Sequence, residues 1–224
     1  LLADRMRDNF ISSKQLASPE IMFSVRYLAP NITHSMDLYY AAWTTCGVTR
    51  DLVDAFECTD GLKWGESPLT VPVDESLLAT GELGDANKAE RTKLFQNRDR
   101  RLYETVCHSG VADFSIDGQD GEPVTITNQM QTGFGMMKLI QPTKEMPSYS
   151  TISDADVIIL RYAEVLMMIA EAENEVNGPT QKVYDAVNQI RVRSGHPELP
   201  TGLTKEQMRE RIRNEWRVEF VFEG

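Results

Sequence analysis

Residues 30–47 combine aromatic side chains with hydrogen-bonding ones, a mixture that suits recognition of a sugar. A sugar ring presents C–H groups that stack on the face of a Trp or Tyr ring, while its hydroxyls need polar partners at the edge. The alternative is that these aromatic rings cover the core. No helix cap or alternation organises residues 30–47, so they predict a long loop, which in a compact domain is often functional. The candidate ligand-binding residues are Tyr39, Tyr40, Trp43, His34 and Asp37, with Trp64 as a second position.

Other chemistries find little support in the residue pattern. The three histidines are dispersed and match no zinc-ligand spacing. No nucleophile elbow or phosphate-binding loop is present. Residues 113–122 could suggest a calcium loop, but position 12 counted from Asp113 is Val124, where an EF-hand needs Glu, so a solvated turn is favoured. Glu171 and Glu175 are one helical turn apart and predict a solvated face. The sequence therefore predicts no catalytic residue, no metal and no cofactor.

The charge balance disfavours several classes of partner. The chain of 224 residues carries 23 basic and 34 acidic residues, a net charge of −11. Nucleic acid and anionic lipid are unsuitable partners because contact with phosphate needs clustered Lys and Arg. No apolar run approaches the roughly 20 residues of a membrane span. Cys46, Cys58 and Cys107 are widely spaced, which favours buried free thiols over one bridge with one thiol left.

Residues 158–175 form the longest periodic segment and predict a helix that is covered from more than one side. Its apolar residues fall on two adjacent lines, Ile159, Ala163, Leu166 and Ala170 on one, and Ile158, Tyr162, Val165, Ile169, Ala172 and Val176 on the other. Gly178 ends this helix, and Thr180 is placed to cap the next. Thr204 and Gln207 predict a capping box at the start of a third. Helices joined by such short turns predict a bundle or an α-solenoid unit.

The rest of the chain predicts loops with a few short elements. Residues 19–25 alternate and predict a strand, and residues 49–56 predict a helix capped by Thr49. Residues 65–92 lack periodicity and predict a loop. Residues 103–106 and 124–126 predict two strands.

Charged residues near the end of the chain predict ion pairs between helices. Arg side chains and carboxylates at helical spacing tie neighbouring elements together. Trp216 is predicted to lie in the core. The charged residues are Arg161, Arg191, Glu215, Arg217, Glu219 and Glu223.

Three ordered motifs resemble those of the SusD/RagB family. They are Ile159-Leu-Arg-Tyr-Ala-Glu-Val-Leu166, Val187-Asn-Gln-Ile-Arg-Val-Arg-Ser-Gly195 and Asn214-Glu-Trp-Arg-Val-Glu-Phe220. Three motifs in family order are a stronger signal than any one of them. Further similarity lies in Leu52-Val-Asp-Ala-Phe56, in Thr132-Gly-Phe134, and in Asn97-Arg-Asp-Arg-Arg101, where Arg100 stands in the place of a usual proline.

The resemblance implies a mainly α fold with tetratricopeptide-like helical packing, an irregular loop-rich lobe and a few short strands. It implies one domain, with a loop-rich lobe at residues 1–152 and signature helices at residues 153–224, and both ends of the natural chain are expected to be missing. No family motif covers the loops, so the resemblance assigns no binding residue.

The function implied by the resemblance is non-catalytic. A lipoprotein at the bacterial outer-membrane surface, anchored by a lipid segment outside this chain, binds oligosaccharide and passes it to a SusC-like TonB-dependent transporter. The alternative is a helical interaction scaffold, or a peptide-binding uptake component, without a saccharide ligand. A glycoside hydrolase is a third hypothesis, which would release products from oligosaccharides.

Overall fold

The computed structural model describes residues 1–43, 45–78, 84–108, 130–142 and 145–223. The α-helices are α1 (Ser12–Gln15), α2 (Arg50–Ala55), α3 (Asp85–Leu94), α4 (Arg100–Thr105), α5 (Tyr162–Asn177), α6 (Gln181–Arg193) and α7 (Lys205–Phe220). The strands are β1 (Ile21–Val25), β2 (Val106–His108), β3 (Phe134–Met136) and β4 (Val157–Arg161). The predicted mainly α fold with a few short strands is confirmed. Among these residues, no helix combines the length and apolar character needed to cross a bilayer.

Helices α5, α6 and α7 pack together around one apolar core. Helix α5 contacts both of the others, and the buried side chains include Ala163, Leu166, Ala170, Val187, Ile190 and Met208. The predicted capping box is present, because the Thr204 hydroxyl accepts from the Gln207 N–H and the Gln207 side chain accepts from the Thr204 N–H. Thr180 occupies the N-cap position of α6, as predicted, but its hydroxyl donates to Glu173 (3.1 Å) and accepts no bond from the helix.

The predicted helix at residues 158–175 begins later than its periodicity suggests. Its first residues form β4, which pairs antiparallel with β1 and places Ile158 opposite Ser24. The helix starts at Tyr162, whose N–H donates to the Glu20 carbonyl (2.8 Å). β-Branched residues favour a strand when a neighbouring strand supplies hydrogen bonds, and the predicted strand β1 does so here. Ile159 is consequently exposed rather than part of a buried helical line.

A second apolar core holds the loop-rich part of the chain together. It is built around Leu52, Phe56, Leu102, Phe134 and Ile140. The helix capped by Thr49 is confirmed, since the Thr49 hydroxyl accepts from the Leu52 N–H (3.4 Å). The three cysteines are free thiols, as predicted, and burial raises the pKa of Cys107 to about 12.

Two predictions in the loop-rich part are wrong. Most of residues 103–106 lies in α4, and the strand that follows, β2, pairs with β3. The predicted strand at residues 124–126 and the acidic stretch 113–122 lie outside the described residues.

The second wrong prediction is the loop at residues 65–92, because residues 85–92 belong to helix α3. This helix buries Asn87, Glu90 and Arg91 along with Leu94, so its inner face carries polar residues and shows no hydrophobic period.

A buried network of ion pairs joins the three-helix unit to the rest of the molecule. Arg101 on α4 donates to Glu215 (2.5 Å) and Glu219 (2.9 Å) on α7. Arg161 at the end of β4 donates to Glu20 (2.6 Å), to Glu219 (2.7 Å) and to Glu223 (2.7 Å). The structural role predicted for Arg161, Glu215, Glu219 and Glu223 is confirmed. Arg191 likewise forms ion pairs with Glu57 and Glu215, and Arg193 forms one with Glu219.

The network lowers the pKa of two of its buried carboxylates, Glu219 and Asp99. Burial alone would raise the pKa of Glu219, but Arg193, Arg161 and Arg101 hold that pKa well below its usual range. Asp99 shows the same pattern, since its burial is outweighed by Arg101, and its pKa is also held well below the usual range. Arg101, Arg161, Arg191 and Arg193 therefore each have a carboxylate partner inside the fold.

Candidate functional site

Residues 38–42 form a single π-helical turn that exposes two aromatic rings. The Trp43 N–H donates to the Leu38 carbonyl five residues back (3.1 Å). Leu38 and Ala41 are buried, whereas Tyr39 is 47% and Trp43 46% exposed. The two exposed rings meet edge to face, with centroids 5.3 Å apart and planes at 82°. The sequence predicted a loop without regular structure here, and the buried anchors Leu38 and Ala41 explain why a turn forms instead.

Tyr149 brings a third ring to the same place from a distant part of the chain. Its ring centroid lies 5.5 Å from that of Trp43, with planes at 73°, and the residue is 85% exposed. The turn that carries it is closed by a bond from the Thr151 N–H to the Ser148 carbonyl (3.0 Å). The aromatic platform is defined here as Tyr39, Trp43 and Tyr149. Sequence reasoning missed Tyr149, although an aromatic residue inside the polar run Pro147-Ser-Tyr-Ser-Thr151 is an available signal.

His34 and Asp37 hold the two halves of the platform together. The backbone of His34 bridges to Ser153, with a bond of 2.9 Å from the His34 N–H to the Ser153 carbonyl. The ring Nδ1 accepts from the Met36 N–H (3.3 Å), which leaves Nε2–H to donate to the Ala155 carbonyl (3.0 Å). Asp37 is buried and accepts from the Gln141 N–H (2.6 Å) and from the Ser153 hydroxyl. Both predicted ligand residues therefore have partners inside the fold.

Tyr40 and Trp64 lie against the second core rather than on the platform. Tyr40 is half-buried and packs on that core from the inner side of the π-helical turn. Trp64 is also half-buried, and the Arg50 guanidinium lies 4.9 Å from its ring centroid. Arg98 lies 5.9 Å from the same ring and donates to the Val53 and Phe56 carbonyls. A ligand would have to displace the Arg50 side chain to stack on Trp64.

The platform has the physical character of a stacking surface. Its rings are fixed in edge-to-face contact, so each ring face that points outward stays in place without a ligand. Hydroxyl groups surround them, from Tyr39 and Tyr149 themselves and from the exposed residues Thr45, Ser148 and Ser150. Rigid aromatic faces with neutral hydrogen-bonding groups at the edge suit a sugar chain, whose C–H faces and hydroxyls alternate. In the described part of the chain, no three His, Cys, Asp or Glu residues come close enough to hold a metal ion.

Comparison with known proteins places this fold in a family. The model of the SusD family matches residues 20–224. The chain belongs to the SusD family. The SusD match includes all three motifs of the helical unit, whose charged residues meet in the buried network.

Individual SusD-like relatives agree with this assignment. SusD-like protein P38 from Formosa agariphila is 26% identical over 223 residues, which is 92% of this chain and 38% of that protein. A SusD-like protein from Bacteroides fragilis is 26% identical with a TM-score of 0.69, and the match covers 97% of this chain and 44% of that protein. A SusD-like carbohydrate binding protein from the same species has a TM-score of 0.71 at 22% identity, and the match covers 100% of this chain and 43% of that protein. The chain thus spans about two fifths of the length of these SusD relatives.

Proposed function

We propose that this SusD-family chain binds oligosaccharide through the aromatic platform without chemical change. The observation that carries the proposal is the contact between Tyr39, Trp43 and Tyr149, which gathers three exposed rings from two segments. Exposed rings cost free energy in water, and a sugar chain that stacks on them removes that cost while its hydroxyls keep polar partners. Among the SusD-like relatives is a carbohydrate binding protein, which supports the same ligand class.

The polar groups beside the platform favour binding over catalysis. A glycosidase needs a pair of carboxyl groups on opposite sides of the bond to be cleaved. Asp37 lies beneath the platform with its oxygens on Gln141 and Ser153, and both ring nitrogens of His34 contact backbone groups. These side chains set the position of the rings, so we propose affinity rather than hydrolysis as the activity of this surface.

The cellular role that we propose follows from family membership. A SusD-family lipoprotein at the bacterial outer-membrane surface would hold the oligosaccharide and pass it to a SusC-like TonB-dependent transporter. Purification of a tagged copy from native outer membranes should recover such a transporter with it. Recovery of the tagged protein alone from gently solubilised membranes would contradict this part of the proposal.

Calorimetry with a panel of oligosaccharides tests the proposed ligand class. Trp43→Ala and Tyr149→Ala should each lower the affinity for the best ligand by about 10-fold or more, if a ring stacked on a sugar contributes as much as a ring stacked on a nucleic-acid base, about 1–3 kcal/mol. Both residues are exposed, so the thermal stability should change little.

Phe23→Ala provides the matched control. Phe23 is an aromatic residue on β1 that is 60% exposed and lies outside the platform. Its replacement should leave the affinity unchanged. Equal losses for Phe23→Ala and Trp43→Ala would refute the platform as the site, and an absence of any saccharide ligand would refute the proposed function and favour a scaffold or a peptide-binding role.

A further inference from the structure

The segments that build the aromatic platform carry charge of a single sign. These segments are residues 27–43, 45–49 and 145–156, and they contain neither Lys nor Arg. Their acidic residues are Asp37, Glu145, Asp154 and Asp156. The whole chain has the same sign, with a net charge of −11. The net charge of these segments is therefore negative, and it acts on a ligand that approaches the platform.

The basic residues that flank these segments already have carboxylate partners. Arg26, just before the first segment, pairs with Asp156 (2.8 Å). Arg50, just after the second, pairs with Asp54 (2.8 Å) and with Glu75 (2.8 Å), and its guanidinium lies over Trp64. Lys144, which precedes the third segment, lies outside the described residues. All three guanidinium nitrogens of Arg50 donate to carboxylates, and the charge of Arg26 is balanced by Asp156, so neither arginine brings an unbalanced positive charge to a ligand.

The groups at the rim of the platform match hydroxyls. The Ser148 and Ser150 hydroxyls lie 2.9 Å apart beside Tyr149, and the Thr45 hydroxyl donates to the Tyr39 carbonyl (3.1 Å). Serine, threonine and tyrosine hydroxyls donate and accept equally well, as sugar hydroxyls do. A carboxylate or sulfate only accepts, and it needs cationic donors to replace its strong hydration.

From these observations we infer that the aromatic platform selects neutral glycans and rejects chains that carry uronate or sulfate groups. The inference rests on the proposed function and adds the charge class of the ligand to it. The rings supply the affinity, which does not depend on charge, and the net negative charge of the surrounding segments supplies the discrimination by repulsion.

One polymer before and after oxidation gives a matched pair of probes. A neutral polysaccharide found to bind the protein is oxidised at its C6 hydroxyls to carboxylates, which keeps the backbone and changes the charge. We expect the oxidised form to bind at least about tenfold more weakly at low ionic strength. Added salt should narrow the difference, because the Debye length falls from about 30 Å at 0.01 M to about 8 Å at physiological ionic strength. Equal or tighter binding of the oxidised polymer would overturn the inference.

A charge placed at the rim tests the cause. Ser150→Lys adds a cation next to Tyr149 and removes the Ser150 hydroxyl, and Ser150→Gln removes the same hydroxyl without adding charge. The Lys variant should bind the oxidised polymer several-fold more tightly than the Gln variant does, whereas the two variants should bind the neutral polymer equally. If the Lys and Gln variants bound the oxidised polymer equally well, local charge would not determine the preference for neutral glycans.

These results separate the inference from the proposed function. If the oxidised polymer binds as well as its parent and Trp43→Ala abolishes both, the platform is the site and the charge selection is wrong. If neither polymer binds, or if Trp43→Ala has no effect on binding, the proposed function fails and the inference falls with it.

Discussion

Trp43 and Trp64 have different neighbours and hence different expected roles. Trp43 meets Tyr39 and Tyr149 in edge-to-face contacts, and the nearby groups are hydroxyls. Trp64 packs on the second core, and Arg50 lies over its ring at 4.9 Å. A cation over an aromatic face is itself a stabilising contact, of about 0.5–1 kcal/mol at an exposed site. The Trp43 ring is thus available for stacking, whereas the Trp64 ring is already covered.

Trp64→Ala tests this distinction. Loss of the ring should lower the free energy of unfolding by about 2–4 kcal/mol, because core contacts and the cation–π contact disappear together. Affinity for the oligosaccharide should stay within about twofold of the unmodified protein. Chemical denaturation and calorimetry on the same sample measure both quantities, and Trp43→Ala should show the reverse pattern. If Trp64→Ala weakened sugar binding without lowering the stability, Trp64 would be part of the binding site and this distinction would be wrong.

The sequence alone predicted part of the platform but could not predict all of it. Tyr39 and Trp43 are four residues apart within one polar stretch, so composition and spacing were enough to select them. Tyr149 joins them only because the His34–Ser153 bridge brings two distant segments together, and no local pattern encodes that contact. His34 and Asp37 were selected for their residue types, and their partners became visible only with the folded backbone.

At the scale of elements, Ser153 links the π-helical turn to the segment that carries Tyr149. Its backbone bridges to His34, and its hydroxyl donates to the buried Asp37 carboxylate. That carboxylate also accepts from the Gln141 N–H (2.6 Å). The positions of the three rings therefore depend on one buried hydrogen-bond centre beneath them.

Ser153→Ala should disturb the platform without touching a ring. Removal of the hydroxyl leaves a buried carboxylate with one partner fewer, which should cost about 1–3 kcal/mol of folding free energy. Because Tyr149 would lose its fixed position beside Trp43, glycan affinity should fall as well. Ile152→Ala, a change at an exposed residue next to Ser153, is the control and should alter neither quantity much. A variant that loses stability but keeps full affinity would show that the rings are positioned independently of Asp37.

Strand β4 shows where local periodicity misleads. The run Val157-Ile-Ile-Leu-Arg161 continues into a true helix, and its apolar residues fit a helical repeat as well as a strand. The hydrogen bonds offered by β1 decide the outcome, and they depend on a segment more than a hundred residues earlier. By contrast, the capping box at Thr204 and Gln207 is local, so the start of α7 was predictable from sequence.

At the scale of the whole molecule, the charged residues of the family motifs act as one structural unit. Arg161, Arg191 and Glu219 come from three separate motifs, and their side chains meet in the buried network between the two cores. Motif spacing predicted that these residues pair, and only the fold shows that they form a single cluster. The motifs therefore stabilise the scaffold, and the platform lies in segments that they do not cover.

This network should make the protein sensitive to acid. The pKa values of Glu219 and Asp99 are held well below their usual range in the folded state, while in the unfolded chain both groups titrate near pH 4. A lowered folded-state pKa contributes stability that is present above the unfolded pKa and is lost as pH falls through the range below it. The midpoint of urea unfolding should therefore change little from pH 7 to about pH 5 and fall steeply below about pH 4.

Glu219→Gln tests whether the network is the source of that sensitivity. At pH 7 the variant should lose about 3–5 kcal/mol, because Arg161, Arg193 and Arg101 would remain buried with one negative charge fewer. Its stability should also fall less steeply with acid, since one group that takes up a proton on unfolding has been removed. Glu210→Gln, which breaks only the exposed pair with Arg213 on α7, should preserve both the stability at pH 7 and the steep acid dependence. If the two variants show the same pH profile as the unmodified protein, other carboxylates control the acid transition and the buried network does not.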